Sequence, residues 1–272
     1  MSKKLSAKDE KMKAMMSENL ASDDTTWMGR SRRVFRMLPS DPRCAACMAP
    51  FEGSGATLVK ALLNKERSKL NPLFCNQCEE LARRTRAGAE VELSMLFADI
   101  RGSTPLAESM SAAEFKQLIE RFYTETTHVL MHSLAQIDKL AGDQVSGYYL
   151  PGYVGRDHAR VAVKAAQKLL RVTGHANPEG PWAPVGVGVN TGLVYFGTVG
   201  REDGMIDITA LGDEVNVAAR LASNAAAGEI VVGESTAAAA ALDTAGLEKR
   251  TLALKGKSEP RDVWVMRVGP AA

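Results

Sequence analysis

The sequence has no run of about 18 apolar residues, the length that a membrane-spanning helix requires. The N-terminus also lacks the apolar core of an export signal, so we expect a cytoplasmic protein without a transmembrane segment. The 34 basic and 32 acidic residues give a net charge of only +2, which does not favour nucleic acid as a partner. All 4 cysteines come before residue 79. Without an export signal, this clustering predicts reduced thiols that are available to a metal.

The 272 residues, 45% of them hydrophobic and 24% charged, suffice for one ordinary domain and a smaller companion. Changes in composition along the chain predict four parts. They are a mobile N-terminal arm (1–25), a cysteine-rich metal-binding module (26–78), a connector helix (79–90) and a packed α+β domain (91–272).

Two CxxC pairs, Cys44 with Cys47 and Cys75 with Cys78, have the spacing of a four-thiolate metal site. The segment around them is rich in proline and glycine and poor in apolar residues, so a bound ion would supply folding energy. Structural zinc is the first interpretation. An iron–sulfur cluster also takes four thiolates, and unligated or redox-active thiols are the third possibility.

From Glu90 onward the periodicity predicts strands and helices in the order βαββαβ with additions. The first strand ends at Asp99, a helix begins near Pro105, and a hairpin follows with its tip at 141–143. Two further strands are expected on either side of Gly192. This order is typical of a ferredoxin-like α/β sandwich, which is the predicted fold class.

The stretch LFADIRGST, residues 96–104, ends a strand on an acid and continues into small and hydroxyl residues. A loop of this kind presents backbone N–H groups where phosphates bind, here at Gly102, Ser103 and Thr104. Asp99 would hold a divalent cation beside them. Taken alone, the pattern also fits a simple helix cap.

Two further motifs carry chemically suitable side chains. Asp143 stands at the hairpin tip, and two acids at the ends of adjacent strands can share one or two Mg²⁺ ions. In DITALGDEVNVAARL, Asn216 and Arg220 are four residues apart and share a helix face. A guanidinium is suited to charge that develops on phosphorus, and an amide can orient a ribose.

In order and spacing, FADIRGST, DKLAGD, DITALGDEVNVAARL and LKGKSEP resemble the class III nucleotidyl cyclases, the adenylate and guanylate cyclase family. The resemblance covers about residues 90–268. It implies that Asp99 and Asp143 bind two Mg²⁺ or Mn²⁺ ions with help from the Ile100 carbonyl. It assigns the other roles to Lys139 and Thr209 (base), Asn216 (ribose), Arg220 (reacting phosphate) and Lys255 (outgoing phosphates).

Hydrogen bonding favours ATP over GTP as the substrate. Lys139 can only donate, which suits the N1 acceptor of adenine, and the hydroxyl of Thr209 can accept from N6. A lysine that faces the N1–H of guanine would oppose two donors, at a cost of about a hundredfold in rate.

The resemblance further implies a homodimer, because Lys139 and Asp143 would serve different active sites. The expected activity is adenylate cyclase, with a regulatory signal or partner acting at the cysteine module through the connector. The alternatives are a guanylate or other nucleotidyl cyclase, and an inert cyclase-like regulator that binds a nucleotide or nucleic acid.

Overall fold

The computed structural model describes residues 7–22, 26–39, 41–69, 73–200, 206–253 and 259–269. The chain divides into two compact units. The first unit comprises Met1–Glu92, Leu150–Arg156 and Val194–Leu211, and the second comprises Leu93–Tyr149, Asp157–Leu193 and Gly212–Ala272. Lys255 lies outside the described residues.

The helices are α1 (Ala7–Ala21), α2 (Trp27–Met37), α3 (Gly53–Leu63), α4 (Asn76–Thr85), α5 (Ser103–Ser109), α6 (Ala112–His132), α7 (Pro151–Val154), α8 (His158–Val172), α9 (Asp213–Asn224) and α10 (Glu234–Ala239). The strands are β1 (Gly88–Ile100), β2 (Gln136–Ala141), β3 (Gln144–Tyr149), β4 (Val185–Gly200), β5 (Ile206–Leu211), β6 (Glu229–Gly233), β7 (Glu248–Leu252) and β8 (Arg261–Arg267).

The strand order is β2-β3-β1-β4-β6-β8-β7, and β5 pairs with β4. β1 and β3 are antiparallel, with Ser94 opposite Tyr149 and Asp99 opposite Gln144. β4 and β6 are parallel. The order β2-β3-β1-β4 is that of the βαββαβ arrangement, so the predicted ferredoxin-like α+β fold is confirmed.

The second unit buries its core between this sheet and the amphipathic helices. α6 begins with a capping box at Ser111 and turns Phe122, Val129 and Leu130 inward. Its buried residues Phe122, Thr126, Val129 and Leu130 follow the spacing of one helix face, since residues three and four apart lie on the same side. Burial of each large apolar side chain contributes about 2 kcal/mol, and the helix thereby fixes the strands that it covers.

The first unit combines α1–α4, residues 150–156 and the ribbon formed by the end of β4 with β5. Its core contains Cys44, Val59, Phe74 and Cys75, against which Ile208 of β5 packs. Gly197 on β4 has no room for a side chain, because an added Cβ would collide with the backbone of residues 87–88. The ribbon therefore lies directly against the start of β1.

One local prediction differs from the structure. β4 runs without interruption through Gly192, where a break was expected. An added Cβ at Gly192 would lie 2.6 Å from Cγ of Glu214, so this glycine permits close approach of α9 instead of ending a strand. Within residues 1–25, for which an N-terminal arm is predicted, Ala7–Ala21 form α1 and Leu20 is buried.

Among the described residues, no helix has both the length and the apolar character needed to cross a membrane.

Candidate active site and candidate metal centre

Asp99 and Asp143 lie at one end of the sheet in the second unit. Asp99 is the penultimate residue of β1, opposite Gln144 of β3. The N–H of Ile100 donates to the carbonyl of Asp143 over 3.1 Å. This pairing brings the strand end and the hairpin tip together, because β3 begins directly after the turn that carries Asp143.

The two carboxyl groups are close enough to influence each other. Burial raises the pKa of Asp99 and the charge of Asp143 adds to this effect, while the Arg101 guanidinium opposes it. Arg101 forms an ion pair with Asp99. Its backbone N–H also donates to the Pro184 carbonyl at 2.6 Å, and its side chain donates to the Ser223 carbonyl at 3.1 Å.

This donor set is chemically suited to Mg²⁺ or Mn²⁺, since hard divalent cations prefer carboxylate and carbonyl oxygens. Asp99, Asp143 and the Ile100 carbonyl are the residues that would hold them. The mutual repulsion of the two carboxylates is the feature that a cation would relieve.

A cavity of about 560 Å³ adjoins Asp143, which lines it together with Ser103, Thr104 and Tyr123 among others. Gly102 precedes α5 in the left-handed region at φ 66°, which glycine adopts without strain. The Tyr123 hydroxyl donates to the Gly142 carbonyl at 2.7 Å. Burial and the charge of Asp143 raise the pKa of Tyr123, so it remains a neutral donor at the hairpin tip.

Asn216 and Arg220 lie on α9 in the same unit. Asn216 is exposed and Arg220 is half-buried, while Val217 and Leu221 face the core. The shared polar face is therefore accessible. Among the described residues, no hydrogen bond or ion pair joins Asn216 or Arg220 to the acidic pair.

The remaining predicted site residues are placed as follows. Lys139 belongs to β2, but its side chain is not among those described. Thr209 belongs to β5 in the first unit and is 7% exposed.

The four cysteines form a second cluster, within the first unit. Their Sγ atoms all lie within 4.8 Å of one another. Cys47 and Cys75 are 3.8 Å apart at sulfur, and the backbone N–H of Cys75 donates to Cys44 Sγ at 3.2 Å. At a metal–sulfur distance of 2.3 Å, the edge of a tetrahedron is about 3.8 Å, so the cluster fits one tetrahedral ion. A cluster of several irons needs thiolates that are further apart, because they bind different irons.

Two cations accompany the cysteines. Arg32 is 0% exposed and donates through Nη1 to the Ala45 carbonyl at 2.8 Å, with its guanidinium 4.5 Å from the Tyr153 ring centre. Burial lowers the pKa of Arg32, and the nearby Tyr153 and cysteines oppose that shift. Lys65 Nζ lies 3.9 Å from Cys75 Sγ. Buried cations require negative partners, which a thiolate-bound ion supplies.

The thiols respond unequally to this environment. Burial raises the pKa of Cys44, whereas hydrogen bonds from Cys44, Cys47 and Cys78 lower the pKa of Cys75. Cys75 is consequently the residue most disposed to be a thiolate, the form that binds metals.

Comparison with known proteins identifies the class. The model of the adenylate and guanylate cyclase catalytic domain family matches residues 86–267, which is more than half of the chain. The chain belongs to this family, as the sequence motifs predicted.

Individual relatives agree with this assignment. An adenylate cyclase of Mycobacterium tuberculosis is 30% identical over 221 residues, which cover 76% of this chain and 48% of that protein. This chain thus spans about half the length of that curated relative. The structure of the adenylyl cyclase CyaB from P. aeruginosa has 28% identity and a TM-score of 0.56, covering 65% of this chain and 94% of that one. The guanylyl cyclase Cya2 has 26% identity and a TM-score of 0.59, with 67% and 95% covered.

Several residues at these sites were not singled out from the sequence. Arg101 lies within the FADIRGST motif, but only its ion pair with Asp99 gives it a role. Tyr123 belongs to the predicted amphipathic helix, and nothing in its spacing indicated the contact with Gly142. Arg32 lies on α2 among other arginines, and nothing in the sequence indicated that it is buried beside the cysteines.

Proposed function

We propose that this chain is an adenylate cyclase, a phosphorus–oxygen lyase that converts ATP to 3′,5′-cyclic AMP and pyrophosphate. The observation that carries the proposal is the convergence of Asp99, the Ile100 carbonyl and Asp143 at one sheet end beside a cavity lined by Ser103 and Thr104. Membership of the cyclase family supports the reaction class.

In this reaction the 3′-hydroxyl of ATP attacks the α-phosphorus in line, and the bond to pyrophosphate breaks. Asp99, Asp143 and the Ile100 carbonyl would hold Mg²⁺ or Mn²⁺, which would supply Lewis-acid chemistry to this displacement. Arg220 stabilises the negative charge on the reacting phosphate, and Asn216 orients the ribose. Backbone N–H groups at Gly102, Ser103 and Thr104 hold phosphate oxygens, and Lys255 receives the outgoing pyrophosphate.

Selection of the base is assigned to Lys139 and Thr209. The lysine donates to N1 of adenine, and the threonine hydroxyl accepts from the N6 amino group. Thr209 is almost fully buried on β5, which supports its use as a fixed hydrogen-bonding group. Guanylate cyclase activity is the second candidate, and the structural similarity to the guanylyl cyclase Cya2 favours its inclusion in the test.

We further propose a homodimer with two shared sites, in which one protomer supplies the metal ligands and its partner supplies the base, ribose and Arg220 contacts. The ribbon of β4 and β5 supports this arrangement. Tyr195 and Leu211 are direct cross-strand partners and are 37% and 50% exposed. An exposed apolar pair on a strand ribbon is typical of a surface that a partner covers.

For the four-cysteine cluster we propose a structural zinc ion. The close tetrahedral spacing of the sulfurs and the two adjacent cations, Arg32 and Lys65, support a single ion that carries four thiolates. The predicted division into arm, module, connector and catalytic domain remains a prediction, as do the cytoplasmic location and a regulatory signal received by the module. The packing of Ile208 against the cysteine core offers a second route for such a signal, besides the connector.

The experiment is product analysis. The purified chain is incubated separately with ATP and GTP in Mg²⁺ and in Mn²⁺, and cyclic nucleotides are separated chromatographically. We expect cyclic AMP at a rate at least about tenfold above that of cyclic GMP. Faster formation of cyclic GMP would favour the guanylate alternative. Nucleotide or nucleic-acid binding without any cyclic product would instead favour the inert regulator.

A further inference from the structure

The first unit contains a cavity of about 310 Å³ that borders the cysteine cluster, because Cys47 and Cys78 form part of its lining. Its walls come from α1, α2, α4, the cysteine loops and the ribbon of β4 and β5. Representative apolar residues are Leu20, Phe35, Leu81, Ala82, Phe196 and Ile208. Protein interiors pack with few voids larger than a water molecule, and cavities of about 300 Å³ or more are typical of ligand sites.

The lining has almost no charge. Of the described residues that form it, Cys47 and Cys78 belong to the proposed zinc site, and Lys65 is a cation whose ammonium group lies 3.9 Å from Cys75 Sγ. Its charge is thus directed toward the sulfur cluster. Gln77 also lines the cavity, and its side-chain amide already donates to the Leu63 carbonyl at 2.6 Å. The wall also contains the hydroxyl-bearing residues Ser31, Tyr153 and Thr198.

We propose that this cavity binds a neutral lipophilic small molecule. At about 30 Å³ for each methylene-sized group, the volume admits about ten such groups. One hydroxyl or carbonyl on the ligand would find a partner among the wall hydroxyls, and the rest of the molecule would contact apolar side chains.

A charged ligand suits the cavity less well. A carboxylate would lose its water against apolar walls and would lie near a cluster of four thiolates. An ammonium group would also lose its water against these walls, and Lys65 already lies beside the thiolates that would attract it. A neutral molecule avoids both costs, and burial of its apolar surface provides the free energy of binding.

The test is calorimetric titration of the full, metal-loaded chain with 1-octanol, octanoate and octylamine. We expect octanol to bind at least about tenfold more tightly than either charged analogue and to raise the melting temperature. Equal or tighter binding of octanoate would contradict the neutral class. Absence of both heat and thermal shift with octanol, up to its solubility, would contradict the site. Neither measurement depends on the proposed cyclase reaction.

Variants locate the binding site. Ala82→Leu fills the cavity and should abolish octanol binding while leaving the chain folded, because the space is available. Ala113→Leu, at an exposed position on α6 in the second unit, is the matched control and should bind octanol normally. Full octanol binding by folded Ala82→Leu would place the ligand elsewhere. Ile208→Ala provides a second measurement that does not rely on filling the space, since it should shift preference from octanol toward the longer decanol.

Discussion

The chain gathers candidate metal ligands in two places and by different means. In the second unit, Asp99 and Asp143 meet because strand pairing brings them together, and Arg101 offsets part of their repulsion. In the first unit, four cysteines converge within a small core, accompanied by Arg32 and Lys65. A large sheet positions the two acids, whereas the cysteines lie in a segment that is poor in apolar residues. We therefore expect a bound ion to be needed for activity at the acidic site and for folding at the cysteine site.

The largest effect is expected for a substitution at the acidic site that lowers activity without unfolding the protein. Asp99→Asn should lower cyclic nucleotide formation by at least about a hundredfold, because it removes a charged ligand from the proposed metal site. The melting temperature should fall little, since Asn relieves repulsion as well as losing the ion pair with Arg101. Initial rates and thermal unfolding are measured on the same preparations.

The control for this substitution is Glu179→Gln, which removes one acid at an exposed loop position. It should keep wild-type rates. Activity of Asp99→Asn near that of the control would refute the assignment of Asp99.

At the cysteines we expect a substitution to lower the stability of the protein. Cys75→Ser should reduce bound zinc to less than about a tenth and destabilise the protein by about 3 kcal/mol or more, because the ion supplies folding energy. Metal analysis and chemical unfolding measure the two effects, and a chelator should reproduce them in the wild type. Ser54→Ala, an exposed position on α3, should change neither. Unchanged stability of metal-free protein would show that the module folds without its ion.

Glycine substitutions test the packing of each unit by itself. Gly188→Ala in the second unit places a methyl group against the backbone of Ala222 and 2.7 Å from the Ala218 carbonyl. Gly197→Ala in the first unit brings a methyl group 2.7 Å from the Ala87 carbonyl. Each should destabilise the chain by about 2 kcal/mol in chemical unfolding.

Gly269→Ala, which meets only open space, should be neutral. Neutral behaviour of Gly188→Ala or Gly197→Ala would mean that the backbone contacts there are looser than described.

The smallest effect concerns the hairpin tip. Tyr123→Phe removes the hydrogen bond to the Gly142 carbonyl and should loosen the position of Asp143. We expect the Mg²⁺ concentration for half-maximal activity to rise about threefold to tenfold, since one hydrogen bond contributes about 1 kcal/mol. Glu125→Gln on the same helix serves as the control. An unchanged Mg²⁺ requirement in Tyr123→Phe would assign the tyrosine a purely structural role.

Much of the second unit was accessible from the sequence because its signals are local. The alternation that ends at Asp99 and the turn before Gln144 define a strand and a hairpin, and their order defines the sheet. The continuity of β4 through Gly192 was not accessible. A glycine that admits a neighbouring helix has the same sequence pattern as a glycine that ends a strand.

The first unit was less predictable because its important contacts join distant segments. The CxxC spacing predicted the thiol cluster, but burial of Arg32 depends on what covers α2, which a helical pattern does not specify. The same is true of the apolar cavity, whose walls come from segments that are far apart in the sequence. The spacing of apolar residues identifies the apolar face of a helix, but tertiary packing determines which residues contact that face.

Side chains of successive strand residues point to opposite faces, so the side chains of Ile208 and Thr209 lie on opposite faces of β5. Ile208 packs against the cysteine core, and Thr209 is the residue assigned to the purine. A substitution in this ribbon that alters the proposed purine contact can therefore also disturb the packing on the cysteine core. We expect residues on the two sides of the ribbon to vary together among related chains.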